Sequence, residues 1–131
     1  KYMSLSTLTL SSTGFSISFW TYPNSSNTTP YFFDFATTPG QGNNNMLLHG
    51  TGDGTWVFFP NILTGSYFQT AAGKLLFDQW NHCCITIDAN KLVTIYANSV
   101  SVYSGVFSGT TALIKAFGFS CITVSKNNCF L

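Results

Sequence analysis

The feature that most constrains this chain is alternation of apolar and polar residues with a period of two. It is clearest in residues 80–102, where one alternating run opens at Trp80 and a polar cluster, Asp88 to Lys91, interrupts it. A second run, Leu92 to Ala97, ends at Asn98-Ser99. Because successive side chains of a β-strand point to opposite faces, such runs predict strands with one buried face. Two runs joined by a short polar cluster predict a β-hairpin.

The remainder of the chain repeats this pattern in short runs. Phe15, Ile17 and Phe19 fall on one face of a predicted strand, and Trp20 and Tyr22 fall on the other. Further runs predict strands in 2–10, 31–35, 46–48, 56–60, 67–70, 100–107 and 113–119, separated by clusters rich in Gly, Pro, Asn, Ser and Thr. Apolar residues do not recur at helical spacing in any window of 11 residues. The sequence therefore predicts an all-β fold, a two-sheet antiparallel jelly-roll sandwich of about ten or more strands.

Length and charge narrow the possible functions. A chain of 131 residues with 45% hydrophobic residues has the size of one domain, 1–131, and can bury a core. Its charged residues are five Lys and four Asp, without Arg or Glu, and its formal net charge is +1. Nucleic-acid binding requires a dense cationic surface, so no nucleic-acid partner is expected. No apolar run approaches the roughly 20 residues of a spanning helix, so no membrane segment is expected.

The sequence offers no catalytic constellation, and we expect the chain not to be an enzyme. Glycoside hydrolysis needs two carboxyl groups about 5 to 9.5 Å apart, and the four Asp are scattered along a chain without Glu. His82 and Cys83 are neighbours on a strand and face opposite ways. His82 and Cys84 share a face but lie about 7 Å apart, too far for a base and its nucleophile. The four cysteines have no zinc-ligand spacing; Cys121 and Cys129 are either bridged or reduced and buried.

Taken in order, several phrases of the chain resemble those of the laminin-G-like (concanavalin A-like lectin/glucanase) jelly rolls. They are FSISFW at 15–20, FDF at 33–35, WNHCCITID at 80–88 and LVTIYAN at 92–98. The resemblance implies a jelly roll with Trp20 and Trp80 in its core. Two departures are Asn98-Ser99, where the family usually has Asn-Gly, and the end of the chain where the family's last strand would begin. We therefore expect a domain that lacks this strand, as a fragment of a longer chain or with an open edge beside residues 2–10 that a partner fills.

Ligand sites are expected in the loops. Carbohydrates stack on aromatic rings and bond to neutral amides, which makes candidates of Tyr31, Asn43, Asn44, Asn45, Trp56 and Tyr67. The resemblance also implies calcium, for which Asp53 and Asn43 are weak candidate ligands; the alternative is that Asp53 bonds its own turn. Asn24 and Asn27 each begin an N-glycosylation sequon, either real or a chance product of a loop rich in Asn, Ser and Thr.

Two hypotheses for function follow. In the first, the chain is a non-catalytic binding or adhesion module that contacts glycans or protein partners through the loops of the sandwich. In the second, it is a structural component, such as a minor capsid, decorating or fibre protein of a large virus particle, for example that of a large DNA virus, or of another surface assembly. Both hypotheses predict a location on an extracellular surface or a virion.

Overall fold

The computed structural model describes residues 14–36, 46–61, 65–108, 121–122 and 129–130. These residues form ten strands and no helix, which confirms the all-β prediction. The strands are β1 (Gly14–Thr21), β2 (Tyr31–Ala36), β3 (Met46–Gly50), β4 (Trp56–Phe59), β5 (Phe68–Gln69), β6 (Asn81–Asp88), β7 (Leu92–Ala97), β8 (Val100–Val106), β9 (Cys121–Ile122) and β10 (Cys129–Phe130).

The strands form two antiparallel five-stranded sheets. The first sheet has the order β10-β1-β6-β7-β8 and the second has the order β5-β4-β3-β2-β9. In the first sheet β6 and β7 make the predicted hairpin, with Ile85 opposite Ile95. The two sheets stack as a sandwich, so each presents one face to a shared core and one face outward.

Side chains of the predicted turns hold the hairpins of the first sheet. Asp88 Oδ1 accepts hydrogen bonds from the backbone N–H groups of Asn90 and Leu92, both at 2.8 Å. Asn98 and Ser99 have φ angles of 50° and 68°. Two consecutive residues with positive φ are the mark of a type I′ hairpin turn, whose twist matches that of the strands. Asn98-Ser99 thus adopts the turn expected of it without a glycine.

The core follows the period-two pattern. On β6 the residues predicted to face inward, Cys83, Ile85 and Ile87, are between 0% and 6% exposed. Opposite them, the second sheet contributes large side chains, among them Phe33, Leu48, Trp56 and Phe58. The rings of Trp56 and Phe32 lie 4.8 Å apart between their centroids, and Phe19 reaches Trp56 edge-on at 6.4 Å. Aromatic packing between the sheets therefore dominates the core.

The prediction that Trp20 and Trp80 belong to the core is wrong. Their side chains are 53% and 48% exposed. Trp20 follows the buried Phe19 on β1 and so points outward. Trp80 lies one residue before β6, which begins at the buried Asn81. The buried tryptophan is Trp56, which is 0% exposed and donates its indole N–H to the Lys74 carbonyl oxygen at 3.1 Å.

Some predictions fall outside the described residues. These are the strands at 2–10 and 113–119 and the open edge beside residues 2–10. The side chains of Cys121 and Cys129, and with them the choice between a bridge and free thiols, also lie outside the described part. Near the end of the chain, β10 pairs with β1, with Phe130 opposite Trp20 in the register. The strand-supplying partner and the single domain at 1–131 remain predictions.

Candidate functional site

The predicted glycan-binding residues differ in their exposure to solvent. Tyr31 and Tyr67 are 46% and 52% exposed, as a ligand-contacting ring requires. The prediction for Trp56 is wrong, because this ring is fully buried between the sheets and cannot meet a ligand. Asn43, Asn44 and Asn45 lie outside the described residues.

Tyr31 and Tyr67 are the two ends of one row of rings, which we call the aromatic row: Tyr31, His49, Phe59 and Tyr67. The ring centroids of Tyr31 and His49 are 5.5 Å apart, those of His49 and Phe59 are 5.9 Å apart, and those of Phe59 and Tyr67 are 5.4 Å apart. The His49 and Phe59 planes differ by only 19°. The row therefore runs without a break across the strands of the second sheet.

Strand register builds the row on the outward face of that sheet. Tyr31 on β2 lies opposite His49 on β3, and Phe59 on β4 lies diagonally from His49, since its own partner is Leu47. Met46, Leu48 and Phe58 belong to the core, so the residues that alternate with them point away from it. His49 lies on β3 and is half-buried, and Phe59 lies on β4 and is also half-buried. What the sequence lacks is the register that brings the four rings together.

Hydrogen bonding orients the histidine of the row. His49 Nδ1 lies 3.0 Å from the Gly50 carbonyl oxygen. A carbonyl oxygen only accepts, so Nδ1 carries the proton, and Nε2 of the neutral ring is then an acceptor. With the two tyrosine hydroxyls, the row combines apolar ring surface with polar groups that both donate and accept. This combination suits a sugar, whose C–H face is apolar and whose hydroxyls are both donors and acceptors.

A second group of exposed rings lies on the outward face of the first sheet. We call it the tryptophan cluster: Trp20, Tyr22, Trp80 and His82. The Trp20 and His82 ring centroids are 5.0 Å apart across the paired strands β1 and β6. Just beyond the strands, Tyr22 and Trp80 meet edge-on at 5.7 Å. Sequence reasoning missed this cluster because the two tryptophans were interpreted as core, although their parity relative to Phe19 and Cys83 predicts outward side chains.

Ser18 and His82 form a hydrogen bond, with Ser18 Oγ 2.7 Å from His82 Nε2. The spacing matches that of a nucleophile and its base. A catalytic pair would also need a group that orients the ring and donors for an oxyanion. Among the described residues no carboxylate hydrogen-bonds to His82, and the pair lies on an open sheet face. We interpret the bond as one that orients the His82 ring.

The cysteines of β6 are not activated. Burial raises the pKa of the Cys83 thiol far above its ordinary value, and burial also raises that of Cys84. A thiol with a raised pKa is a poor nucleophile and a poor metal ligand near neutral pH. In the described ranges no group of three or more His, Cys, Asp or Glu side chains could hold a metal ion.

Asp53 is engaged within its own turn. Its Oδ1 accepts hydrogen bonds from the Thr51 hydroxyl and, at 3.1 Å, from the Thr55 backbone N–H. The hydrogen bond from Thr51 is the largest cause of a lowered Asp53 pKa. These hydrogen bonds match the second interpretation of Asp53, in which its carboxylate bonds its own turn and does not bind calcium. The residues described around Asp53 do not fit a calcium site, and the second candidate ligand, Asn43, is outside the described part.

The two sequons lie in an ordered loop between β1 and β2. Asn24 Oδ1 accepts from the Ser26 N–H at 2.8 Å, and Asn27 Oδ1 accepts from the Thr29 N–H at 3.1 Å. Each is thus an Asx-turn. Asn24 is exposed and Asn27 is half-buried. The Asn24 side chain is therefore more accessible to solvent than the Asn27 side chain.

The family model described as the concanavalin A-like lectin/glucanases superfamily matches residues 1–128. No curated protein matches the chain. In the described part of the chain, no helix is long and apolar enough to cross a membrane.

Several solved structures share the fold at low sequence identity. A Ruminococcus gnavus IT-sialidase CBM40, bound to alpha2,3 sialyllactose, has a TM-score of 0.69 and 13% identity over 93% of this chain and 75% of its own. Sheep galectin-11, in complex with glycerol, has a TM-score of 0.60 and 16% identity over 99% of this chain and 96% of its own. The NanB sialidase of Streptococcus pneumoniae, as a K499G mutant, has a TM-score of 0.63 and 14% identity, and the match covers 93% of this chain and 22% of that one.

Proposed function

Because the chain belongs to the concanavalin A-like lectin/glucanase superfamily, we propose that it is a non-catalytic carbohydrate-binding module whose site is the aromatic row. The observation that carries this proposal is the unbroken line of four rings on an outward sheet face, with exposed tyrosines at both ends. A jelly-roll CBM40 bound to sialyllactose supports the ligand class as an analogy of fold.

The row favours uncharged glycans. The chain contains five cationic side chains, all of them Lys. Arg is the side chain that pairs with a carboxylate through two parallel hydrogen bonds, and its absence from the sequence removes that mode of recognition for an acidic sugar. The tyrosine hydroxyls and His49 Nε2 are neutral partners for sugar hydroxyls.

A glycan array that pairs neutral oligosaccharides with their sialylated forms tests this proposal. We expect binding to neutral members, and we expect Tyr31→Ala and Tyr67→Ala each to weaken it about 2- to 10-fold, since one aromatic contact contributes about 0.5–1.5 kcal/mol. Val106→Ala, which trims an exposed apolar side chain of β8 on the opposite sheet, is the control. Binding to neutral glycans that the double change Tyr31→Ala/Tyr67→Ala leaves at full strength would refute the row as the site.

An extracellular location fits this function and the exposed sequon at Asn24. Secretion of the chain from eukaryotic cells and intact-mass measurement should detect a glycan that Asn24→Gln removes, while Asn27→Gln removes less or none. An unmodified mass would refute Asn24 as an acceptor. The alternative function as a structural component of a virus particle or surface assembly gains no support from the similar structures above.

A further inference from the structure

We propose that the tryptophan cluster is a second carbohydrate-binding surface, for uncharged pyranose sugars, so that the module binds two glycans on opposite sheets. The inference shares its ligand class with the proposed function but depends on different residues. It starts from exposure: Trp20 and Trp80 are 53% and 48% exposed in a chain whose third tryptophan is fully buried. Each exposed indole also contacts a second ring, Trp20 that of His82 and Trp80 that of Tyr22, and large exposed rings of this kind mark a contact surface.

The cluster is preorganised on rigid strands. Trp20 and His82 are register partners on β1 and β6, which pair along eight residues. The Ser18 hydroxyl orients the His82 ring, and the Asn98 side chain accepts the His82 backbone N–H at 2.9 Å. Preorganised rings lose little conformational entropy when a ligand binds, which favours affinity.

The segment that carries Trp80 is also anchored. The neighbouring Asn81 is fully buried and bonds through its side chain to the backbone of Leu76 and of Gln79. On the other side of the cluster, the Pro23 carbonyl oxygen accepts the Asp78 backbone N–H at 2.8 Å. These bonds tie the loop before β6 to the loop after β1. The Tyr22–Trp80 contact therefore lies between two segments that hold each other in place.

The surroundings indicate a sugar as the occupant. Residues of β1, β6 and β7 on the same outward face carry hydroxyl groups, namely Ser16, Ser18, Thr86 and Tyr96, whereas the Thr94 hydroxyl on that face is buried against Ser104. Asp88 is the charged residue that these strands place on that face. It lies at the far end of β6, and its carboxylate is hydrogen-bonded within its own turn. An uncharged face of indole rings bordered by hydroxyls matches an uncharged polyol with apolar C–H faces better than it matches an ionic ligand.

Two-dimensional NMR of the full chain tests the inference, because each tryptophan contributes one indole N–H signal. On addition of millimolar lactose, maltose or cellobiose, we expect at least one of these sugars to shift the Trp20 and Trp80 signals and leave that of the buried Trp56 in place. Tyr31→Ala/Tyr67→Ala should retain these shifts. Trp20→Ser should weaken the shifts at Trp80 about 3- to 10-fold, and circular dichroism verifies that this variant is folded.

The outcomes separate the two proposals. Indole signals that stay unchanged with all three sugars, while binding depends on Tyr31 and Tyr67, would overturn the second surface and leave the first. If sugars shift the indole signals and the variants at Tyr31 and Tyr67 bind these sugars as tightly as the wild type, the second surface is supported and the first is refuted. A chain with both surfaces should aggregate sugar-coated beads, and loss of either surface should abolish aggregation; aggregation that survives Trp20→Ser/Trp80→Ser would also overturn the inference.

Discussion

Asn81 shows how one polar side chain can position an aromatic surface. It is fully buried, and its Oδ1 accepts the Leu76 N–H at 2.9 Å while Nδ2 donates to the carbonyl oxygens of Leu76 and Gln79 at 2.7 and 3.0 Å. A buried amide stabilises a fold only when its donors and acceptors are paired, as they are here. This one side chain therefore makes three hydrogen bonds to the loop that ends at Trp80.

Asn81→Ala should lower the free energy of unfolding by about 2–4 kcal/mol, because it leaves the backbone groups of Leu76 and Gln79 without these partners in a buried place. Urea denaturation measures the change. Gln79→Ala, at an exposed neighbour, should stay within about 0.5 kcal/mol of the wild type. A cost below about 1 kcal/mol for Asn81→Ala would contradict this role.

Asp78 predicts a pH dependence. Hydrogen bonding from the Ser25 side chain, and then from its backbone N–H, lowers the Asp78 pKa below the ordinary value of 3.8. The folded pKa lies below the unfolded one, so this contribution to stability is complete above the unfolded pKa and is lost as the pH falls through the folded value. Asp78→Asn should therefore lose less stability than the wild type between pH 5 and pH 2.5, as measured by urea midpoints. Ser25→Ala should reduce the wild-type loss in the same direction, and equal losses in all three proteins would argue against the Asp78–Ser25 bond.

Side-chain parity along a strand explains which single residues were placed correctly from the sequence. Cys83, Ile85 and Ile87 were assigned to the core from parity, and they are buried. Trp20 and Trp80 were assigned to the core from the family resemblance, against their parity, and they are exposed. Parity was the better guide because a strand's side-chain direction is set by its backbone, whereas a large ring can lie on either face.

At the scale of elements, the hairpins of the first sheet follow local turn chemistry. The Asp88 carboxylate bonds the N–H groups of its own turn, as the Asp-Ala-Asn-Lys cluster predicts. The Asn98-Ser99 turn requires positive φ at both residues, which Asn tolerates better than Ser. Local interactions over a few residues therefore suffice to place both turns.

Ser99→Gly should raise the free energy of unfolding by about 0.4–1 kcal/mol, because glycine adopts the φ of 68° without the cost that a side chain imposes. Thermal unfolding followed by circular dichroism measures the gain. Ser101→Gly, placed within β8, should be destabilising instead, since glycine weakens a strand. If Ser99→Gly also lowered the free energy of unfolding, the positive φ of Ser99 would not be a source of strain in this turn.

Gly54, in the turn between β3 and β4, and Gly73, in the loop between β5 and β6, make a matched pair of glycines. Gly54 and Gly73 have φ angles of 81° and 72°, but a Cβ at Gly54 would lie 2.6 Å from the Leu75 carbonyl oxygen while one at Gly73 would meet nothing within 4 Å. Gly54→Ala should therefore destabilise the protein by roughly 3 kcal/mol or more, and Gly73→Ala by about 1 kcal/mol. Chemical denaturation of the two variants separates the steric clash with Leu75, which only Gly54→Ala creates, from the backbone strain that both changes create. Equal losses in the free energy of unfolding would mean that the turn moves away from Leu75 and relieves the clash.

At the scale of the whole molecule, the two stacked sheets carry rings on both outward faces. The second sheet carries the aromatic row and the first sheet carries the tryptophan cluster. Rings on opposite outer faces of a sandwich cannot contact one ligand unit together. The architecture therefore separates the two proposed surfaces, and each can be removed without touching the other.

Calcium should leave the whole molecule's stability unchanged. Asp53 already accepts hydrogen bonds from Thr51 and Thr55, so we expect 5 mM calcium to raise the melting temperature by less than about 1 °C. Differential scanning calorimetry with calcium, and with EDTA as its control, measures the shift. A rise of several degrees that Asp53→Asn removes would restore the site predicted at Asp53 and Asn43.

The sequence by itself determined the strands β1 to β8, the hairpin turns at 88–91 and 98–99, and the inward set on β6, because each depends on side-chain parity and turn chemistry over a few residues. It also identified Tyr31 and Tyr67, but only as separate loop candidates. Only the tertiary structure decided that these two rings end one row through His49 and Phe59, that Trp56 rather than Trp20 or Trp80 fills the core, and that the last two face outward beside Tyr22 and His82. The physical reason is that strand register and sheet stacking join residues far apart in the chain, and no local pattern carries that information.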